Sequence, residues 1–106
     1  MSKSAKWLDE ASKKVDELRR YKIEELLDVE WKVDFRVRPE LIQTKWGKRV
    51  EFGVLPLKMD RGKILVSPEW FKKVVQAIAI NEDTKFVFMR DLYGNLILSI
   101  VEEGKK

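Results

Sequence analysis

Residues 29–38 alternate between apolar and charged side chains without an exception, and this pattern constrains the fold more than any other feature. A period of two gives a chain one apolar and one polar face, which predicts a half-buried β-strand. Pro39 lacks the amide hydrogen that a ladder needs, so it predicts the end of that strand. Trp31 and Phe35 lie on the apolar side and are expected in the core. The apolar positions are Val29, Trp31, Val33, Phe35 and Val37.

A second alternating segment follows at residues 50–54, and it places Phe52 in the predicted core. The basic turn at residues 45–49 precedes it, and Gly47 can adopt the positive φ that a tight turn requires. Residues 64–66 are a further short apolar run, and residues 63–66 are predicted to be a strand.

The second half of the chain predicts one helix and one hairpin. Ser67 and Pro68 are typical of an N-cap and a first helical position, which starts a helix over residues 68–80. The closing hairpin has strands at residues 85–90 and 96–102. Both strands are apolar on each face, so a central place in the sheet is expected.

The N-terminal segment predicts an amphipathic helix within residues 1–28, with Ser4 as a possible cap. Its apolar spacing shifts phase near residues 21–23, so either the helix breaks there or it contacts two different surfaces. Its apolar residues follow helical spacing on a narrow stripe, and oppositely charged residues lie three and four positions apart around it. Two roles fit this stripe: packing on the sheet of the same chain, or a helix–helix seam between subunits. The stripe residues are Leu8, Ala11, Val15 and Leu18.

The expected class is therefore α+β, in the order α-β-β-β-α-β-β, with an antiparallel sheet of four to five strands and a second helix. At 106 residues the chain is expected to be a single domain over 1–106. The N-terminal helix, residues 1–28, is a possible oligomerisation element, and residues 29–102 form the body of sheet and helix.

The positive charge is concentrated in residues 31–63, which contain nine Lys and Arg against four Asp and Glu. The segments on either side are close to neutral. Basic residues among flat aromatic rings are what a flexible polyanion with stackable bases requires. Trp46 is the clearest case, because its large ring lies in the turn between Lys45, Lys48 and Arg49.

The candidate nucleic-acid-binding residues fall into two groups. Seven basic side chains are expected to contact phosphates, and Trp46 is expected to stack on bases. Trp31, Phe35 and Phe52 contribute only if their face lines an open cleft. The seven are Lys32, Arg36, Arg38, Lys45, Lys48, Arg49 and Arg61.

Cys and His are both missing from the chain, which removes thiolate nucleophiles, imidazole bases and Cys/His zinc sites. The glycines are scattered singly, so no phosphate-binding loop is present. Pairs such as Glu24/Glu25 and Glu82/Asp83 fit solvated surfaces better than catalysis. We expect no enzymatic activity, no cofactor and no metal site.

The N-terminus and the composition also indicate the expected compartment and source of the protein. The first residues contain no apolar signal region, and the longest apolar runs are too short to span a bilayer, so a cytoplasmic protein without a membrane partner is expected. Charged residues make up 38% of the chain and amides are few, a composition typical of proteins from hot environments.

A resemblance to a known family supports the prediction of nucleic-acid binding. The stretch VEWKVDFRVRPELIQTKWGKRVEFGV at residues 29–54, followed by SPEWFKKVV, resembles the archaeal ThermoDBP group of single-stranded-DNA-binding proteins. It covers roughly the last three quarters of the chain. The resemblance implies nucleic-acid binding along the sheet in a cleft of apolar and basic side chains, and a homo-oligomer, either a dimer or a tetramer.

Three functions remain at this point. The leading prediction is binding of single-stranded DNA or RNA, with DNA favoured and low sequence specificity. The alternative is a protein-interaction or assembly subunit that uses the N-terminal helix and exposed aromatics. A regulator of double-stranded DNA ranks last, since the helix at residues 68–80 is not a basic recognition helix.

Overall fold

A computed structural model describes residues 18–101 of the chain. Within these residues six strands form one antiparallel sheet, and one α-helix packs against it. The strands are β1 (Trp31–Asp34), β2 (Glu40–Thr44), β3 (Gly47–Pro56), β4 (Gly62–Val66), β5 (Lys85–Arg90) and β6 (Leu96–Val101); the helix is α1 (Pro68–Ile80), and a 3₁₀ turn spans Ile23–Leu26. No helix in this part of the chain is both long and apolar enough to cross a bilayer.

Strand β3 is the centre of the sheet because it pairs with three other strands, β1, β2 and β4. Val54 pairs with Val33 of β1 and with Gly62 of β4, so β1 and β4 lie on opposite edges of β3. Glu51 likewise pairs with β2 and with β4. Since β1 and β2 are both opposite β4, they lie end to end along one edge of β3. Strand β5 then pairs with β1, and β6 pairs with β5.

Residues 35–39 interrupt what would otherwise be one long strand. The end of β1 aligns with Gly53 and the start of β2 aligns with Glu51, so these residues together face Phe52 alone. We call this segment the 35–39 bulge; extra residues in one strand force it to bend away from its partner. Val37 folds over Gly53, where an added Cβ would lie only 2.7 Å from the Val37 Cβ. Only glycine allows this close approach.

An aromatic cluster joins α1 to the sheet face that carries Phe52. Trp31 stacks on Phe86 with ring centroids 4.9 Å apart, and Trp70 of α1 stacks on Phe88 at 5.6 Å. Phe52, Phe86 and Phe88 are fully buried. Burial of one such side chain contributes about 1.5–3 kcal/mol, so this cluster holds helix and sheet together. The prediction that Trp31 and Phe52 belong to the core is confirmed.

The predicted N-terminal helix over residues 1–28 is wrong for the part that the structure describes. Between residue 18 and β1 only the 3₁₀ turn is helical. Instead, the Lys63 N–H donates to the Arg19 carbonyl and the Tyr21 N–H donates to the Lys63 carbonyl, both at 2.8 Å. This tertiary pairing with the edge of β4 satisfies backbone groups that a helix would satisfy locally. The stripe residues Leu8, Ala11 and Val15 lie outside the described residues.

The predicted order and strand count are also wrong. Over residues 18–101 the order is β-β-β-β-α-β-β, because the first predicted strand ends at Asp34 and β2 was not expected. Strand β5 of the closing hairpin is paired on both sides, as a central position requires, but strand β6 has a strand partner on one side only within these residues. The helix itself is confirmed over residues 68–80. Its N-cap is Ser67, whose side-chain oxygen accepts the Trp70 N–H at 3.2 Å.

Candidate nucleic-acid interface

A groove of about 370 Å³ opens between the 35–39 bulge and α1. It exists because the bulge leaves the edge of β3 while α1 crosses the same face of the sheet. Val33 and Phe52 of the sheet contribute to its lining. The helix side of the groove consists of Phe71, Val74, Val75 and Ile78. The groove is therefore apolar along the helix, and its basic residues come from the bulge.

Phe35 lies at this groove with 58% of its surface exposed, so the prediction that it belongs to the core is wrong. The reason is the bulge: the strand ends one residue earlier, and the alternation no longer decides which way the side chain faces. An exposed phenyl ring beside an apolar groove is a surface on which a base can stack.

Arg36 and Arg38 also line the groove, but their electrostatic settings differ. The Arg36 Nε donates to Asp34 Oδ1 at 2.9 Å, and this hydrogen bond raises the pKa of Arg36. Its side chain is still 63% exposed, which leaves donors for a phosphate. Arg38 is exposed and has no ion pair with any carboxylate of residues 18–101. Arg38 is thus the freer cation of the two.

The β2–β3 hairpin tip presents Trp46 with 75% of its surface exposed. Thr44 fixes the turn, because its hydroxyl accepts the Trp46 N–H at 3.1 Å and donates to the Gly47 carbonyl at 2.7 Å. Gly47 has φ +113°, as the turn pattern predicted. The Lys45 ammonium lies 5.0 Å from the Trp46 ring centroid, a cation–π contact that keeps positive charge beside the ring.

Two more cations follow at the same tip. The Arg49 Nη1 donates to the Lys48 carbonyl at 2.9 Å. Within residues 18–101 no carboxylate pairs with Lys45, Lys48 or Arg49. Their charge is therefore not neutralised locally, and a polyanion meets three cations around one exposed indole.

Of the other predicted binding residues, only Phe52 lines the groove, and none lies at the hairpin tip. Trp31 is 1% exposed and is part of the aromatic cluster. Lys32 forms an exposed ion pair with Asp83 at 3.3 Å. Arg61 is bound to Asp34 on the sheet face opposite the groove. Arg61 and Lys32 are thus more weakly placed as phosphate contacts than the sequence pattern implied.

Sequence reasoning missed the helix side of the groove and the carboxylate beneath it. Phe71 and Val75 lie on a wide apolar helix face, which indicated burial and gave no sign that part of it stays open. The alternating pattern predicts that Asp34 lies on the solvated face of a strand, yet Asp34 is 1% exposed. The alternating pattern of residues 29–38 indicates neither the open groove nor the burial of Asp34, since both follow from the 35–39 bulge.

Two buried carboxylates on the opposite sheet face are fully engaged. Asp34 binds Arg36 and Arg61, while Glu51 binds Lys63 at 3.7 Å and Arg20. Burial raises the pKa of Asp34, but the hydrogen bonds from Arg36 and Arg61 outweigh it, and the net pKa lies below its usual range. Within residues 18–101 no cluster of three carboxylates could hold a metal ion.

Comparisons of this chain with protein-family models, with curated proteins and with solved structures found no match. The groove and the hairpin tip are therefore the features that indicate a function.

Proposed function

We propose that this protein binds single-stranded nucleic acid, DNA in the first instance, with low sequence specificity and without catalysis. The single observation that supports this most is the pairing of exposed aromatic rings with cations that lack carboxylate partners. It occurs twice: Phe35 with Arg38 at the groove, and Trp46 with Lys45 and Lys48 at the hairpin tip.

The chemistry fits a single strand better than a duplex. Stacking on Phe35 or Trp46 needs a base whose face is free, and a paired duplex does not offer one. Lys and Arg contacts to phosphates are independent of sequence, which gives low specificity and strong salt dependence. Binding of this kind needs no cofactor. The cytoplasm remains the expected compartment, and a homo-oligomer remains the expected assembly.

The test is fluorescence anisotropy of a labelled oligothymidylate of roughly 20 nucleotides, a length that exceeds the usual site of a small binding domain. The tip variant carries Lys45→Glu, Lys48→Glu and Arg49→Glu. We expect it to lose most of the affinity measured for the wild type at low salt. The wild-type affinity should itself fall steeply as salt is raised.

The matched control reverses three exposed lysines away from the tip, Lys22, Lys58 and Lys72. Each reversal removes two units of positive charge, so both triple variants have the same net charge. If both lose affinity equally, net charge and not the tip explains binding. If the wild type does not bind at low salt, the proposed function is wrong.

A protein partner is the competing function, and one observation favours it. The turn of the β5–β6 hairpin presents Leu92 fully exposed and Tyr93 87% exposed, while the Asp91 carboxylate accepts the N–H groups of Tyr93 and Asn95. This hydrogen-bonded turn suits an apolar anchor in an interface. Such an interface should persist at salt concentrations that release nucleic acid.

A further inference from the structure

We infer that a bound strand runs from the groove to the hairpin tip along one face of the β2–β3 hairpin, the face that carries Leu41, Gln43 and Lys48. This inference rests on the proposed function and specifies its ligand. The ligand is a single strand of about six nucleotides or more, and a mononucleotide occupies only one end of the site.

The register of the hairpin decides which face is available. Gln43 pairs with Lys48 and Leu41 pairs with Val50, so these four side chains share one face. Phe52 lies on that face too, because residues two apart in β3 point the same way. The face is therefore continuous with the groove, in which Phe52 is part of the lining.

The opposite face of the hairpin is less suited to a polyanion. There Glu40 stands opposite Glu51, and Arg49 stands opposite Ile42. The groove-side face carries no carboxylate between the 35–39 bulge and the tip. The opposite face begins with Glu40, which is exposed, and Glu51, which is buried and paired with Arg20 and Lys63. Leu41 is 64% exposed, which supplies an apolar contact midway along the groove-side face.

The length of β2 sets the length of the ligand. Six residue steps separate Pro39 at the groove from Lys45 at the tip, which at about 3.3 Å per residue is about 20 Å. A stacked strand advances about 3.4 Å per nucleotide, so it needs about six nucleotides to reach from one end to the other. A groove of about 370 Å³ is near the low end of the 300–1,000 Å³ typical of small-molecule pockets, so it accepts only a short part of the strand.

Two single substitutions test the chosen face. Gln43→Glu adds a carboxylate on the groove-side face, and Ile42→Glu adds the same charge one residue away on the opposite face. We expect Gln43→Glu to weaken binding of a roughly 12-nucleotide oligothymidylate about two- to fivefold more than Ile42→Glu does, from the strength of exposed ion pairs. Gln43→Lys should tighten it. Circular dichroism and thermal unfolding check that each variant is folded.

A length series tests the span. Wild-type affinity should rise steeply from two nucleotides to about six and then increase slowly, because a strand that reaches both ends gains the second contact at high effective concentration. Gln43→Glu should weaken binding of strands of about six nucleotides or more by a larger factor than it weakens dinucleotide binding, because only the longer strand passes along the face that carries Gln43. Equal effects of Gln43→Glu and Ile42→Glu, or a plateau at two nucleotides, would overturn this inference while leaving the proposed function intact. No binding at any length would refute the proposed function itself.

Discussion

Arg61 and Asp34 are 27 residues apart in the chain, yet the Arg61 Nε donates to Asp34 Oδ2 at 2.8 Å. The Asp34 side chain is 1% exposed and the Arg61 side chain 27%. Asp34 also accepts the backbone N–H of Arg36 at 3.1 Å. One buried carboxylate therefore ties the end of β1, the start of the 35–39 bulge and the loop before β4 into one unit.

Asp34→Asn should destabilise the protein by about 2–4 kcal/mol, because it leaves two guanidinium groups without their anion. Asp83→Asn is the matched control, since it removes an exposed ion pair with Lys32 and should cost less than about 1 kcal/mol. Urea unfolding of both variants measures the difference. Equal losses would show that Asp34 contributes no more than a surface pair.

The pH dependence of stability should also depend on Asp34. Its folded-state pKa lies below the usual 3.8, because the Arg36 and Arg61 hydrogen bonds outweigh the raising effect of burial. A lowered folded pKa means that the stabilisation is present above about pH 4 and is lost as pH falls through the folded value. The gap in unfolding free energy between wild type and Asp34→Asn should therefore narrow below about pH 4. A constant gap down to about pH 2 would contradict this.

Trp46→Ala should reduce affinity for a long oligothymidylate about 5- to 150-fold, which corresponds to the roughly 1–3 kcal/mol of one base–aromatic stack. Tyr93→Ala removes a ring that is even more exposed from the other hairpin tip and should have little effect on affinity. Anisotropy titrations at one salt concentration compare them. Equal losses would indicate non-specific aromatic contact.

Gly53→Ala should destabilise the protein by about 1–3 kcal/mol, because the new methyl group would lie 2.7 Å from the Val37 Cβ and Cγ2. Relief requires the 35–39 bulge to move, so oligonucleotide affinity should fall as well. Adding Val37→Gly removes the clash, and the double variant should then lose less stability than the two single losses combined. Strict additivity in thermal unfolding would mean that the two residues do not interact.

Lys73→Ala should increase self-association. The Lys73 ammonium donates to the Leu98 carbonyl at 2.8 Å and so occupies the edge of β6, a strand without charged residues. An uncharged edge strand without such a cover pairs readily with another chain. Lys72→Ala, one residue away and exposed, is the control. Sedimentation over a concentration series should show more association for Lys73→Ala, and identical profiles would contradict the edge-guarding role.

Local chemistry made several features predictable. The Ser67–Pro68 pair fixes the start of α1, since both the side-chain acceptor and the preset φ act within one turn. Gly47 and the basic turn place Trp46 at an exposed tip, because a two-residue turn leaves its side chains no sheet to pack on. The sequence also placed Arg36, Arg38 and Phe35 among the candidate binding residues, and these three residues share the groove. That prediction rested on the clustering of positive charge and aromatic residues, which does not indicate a groove.

The end of the first strand could not be predicted from local patterns. The alternation of residues 29–38 is satisfied equally by one continuous strand and by a strand that stops at Asp34. What chooses between them is non-local: Arg61 binds Asp34, and Gly53 leaves room for Val37. Non-local pairing also explains why residues 19–21 are extended and not helical, because their backbone forms hydrogen bonds with the backbone of Lys63.

The sequence by itself thus determined the caps, the turns, the clustering of positive charge and the exposure of Trp46, since each depends on residues within a few positions of one another. Only the tertiary structure decided the 35–39 bulge, the burial of Asp34, the exposure of Phe35 and the face of the hairpin that meets the groove. These depend on which strands lie side by side, and strand pairing brings together residues that no local pattern relates.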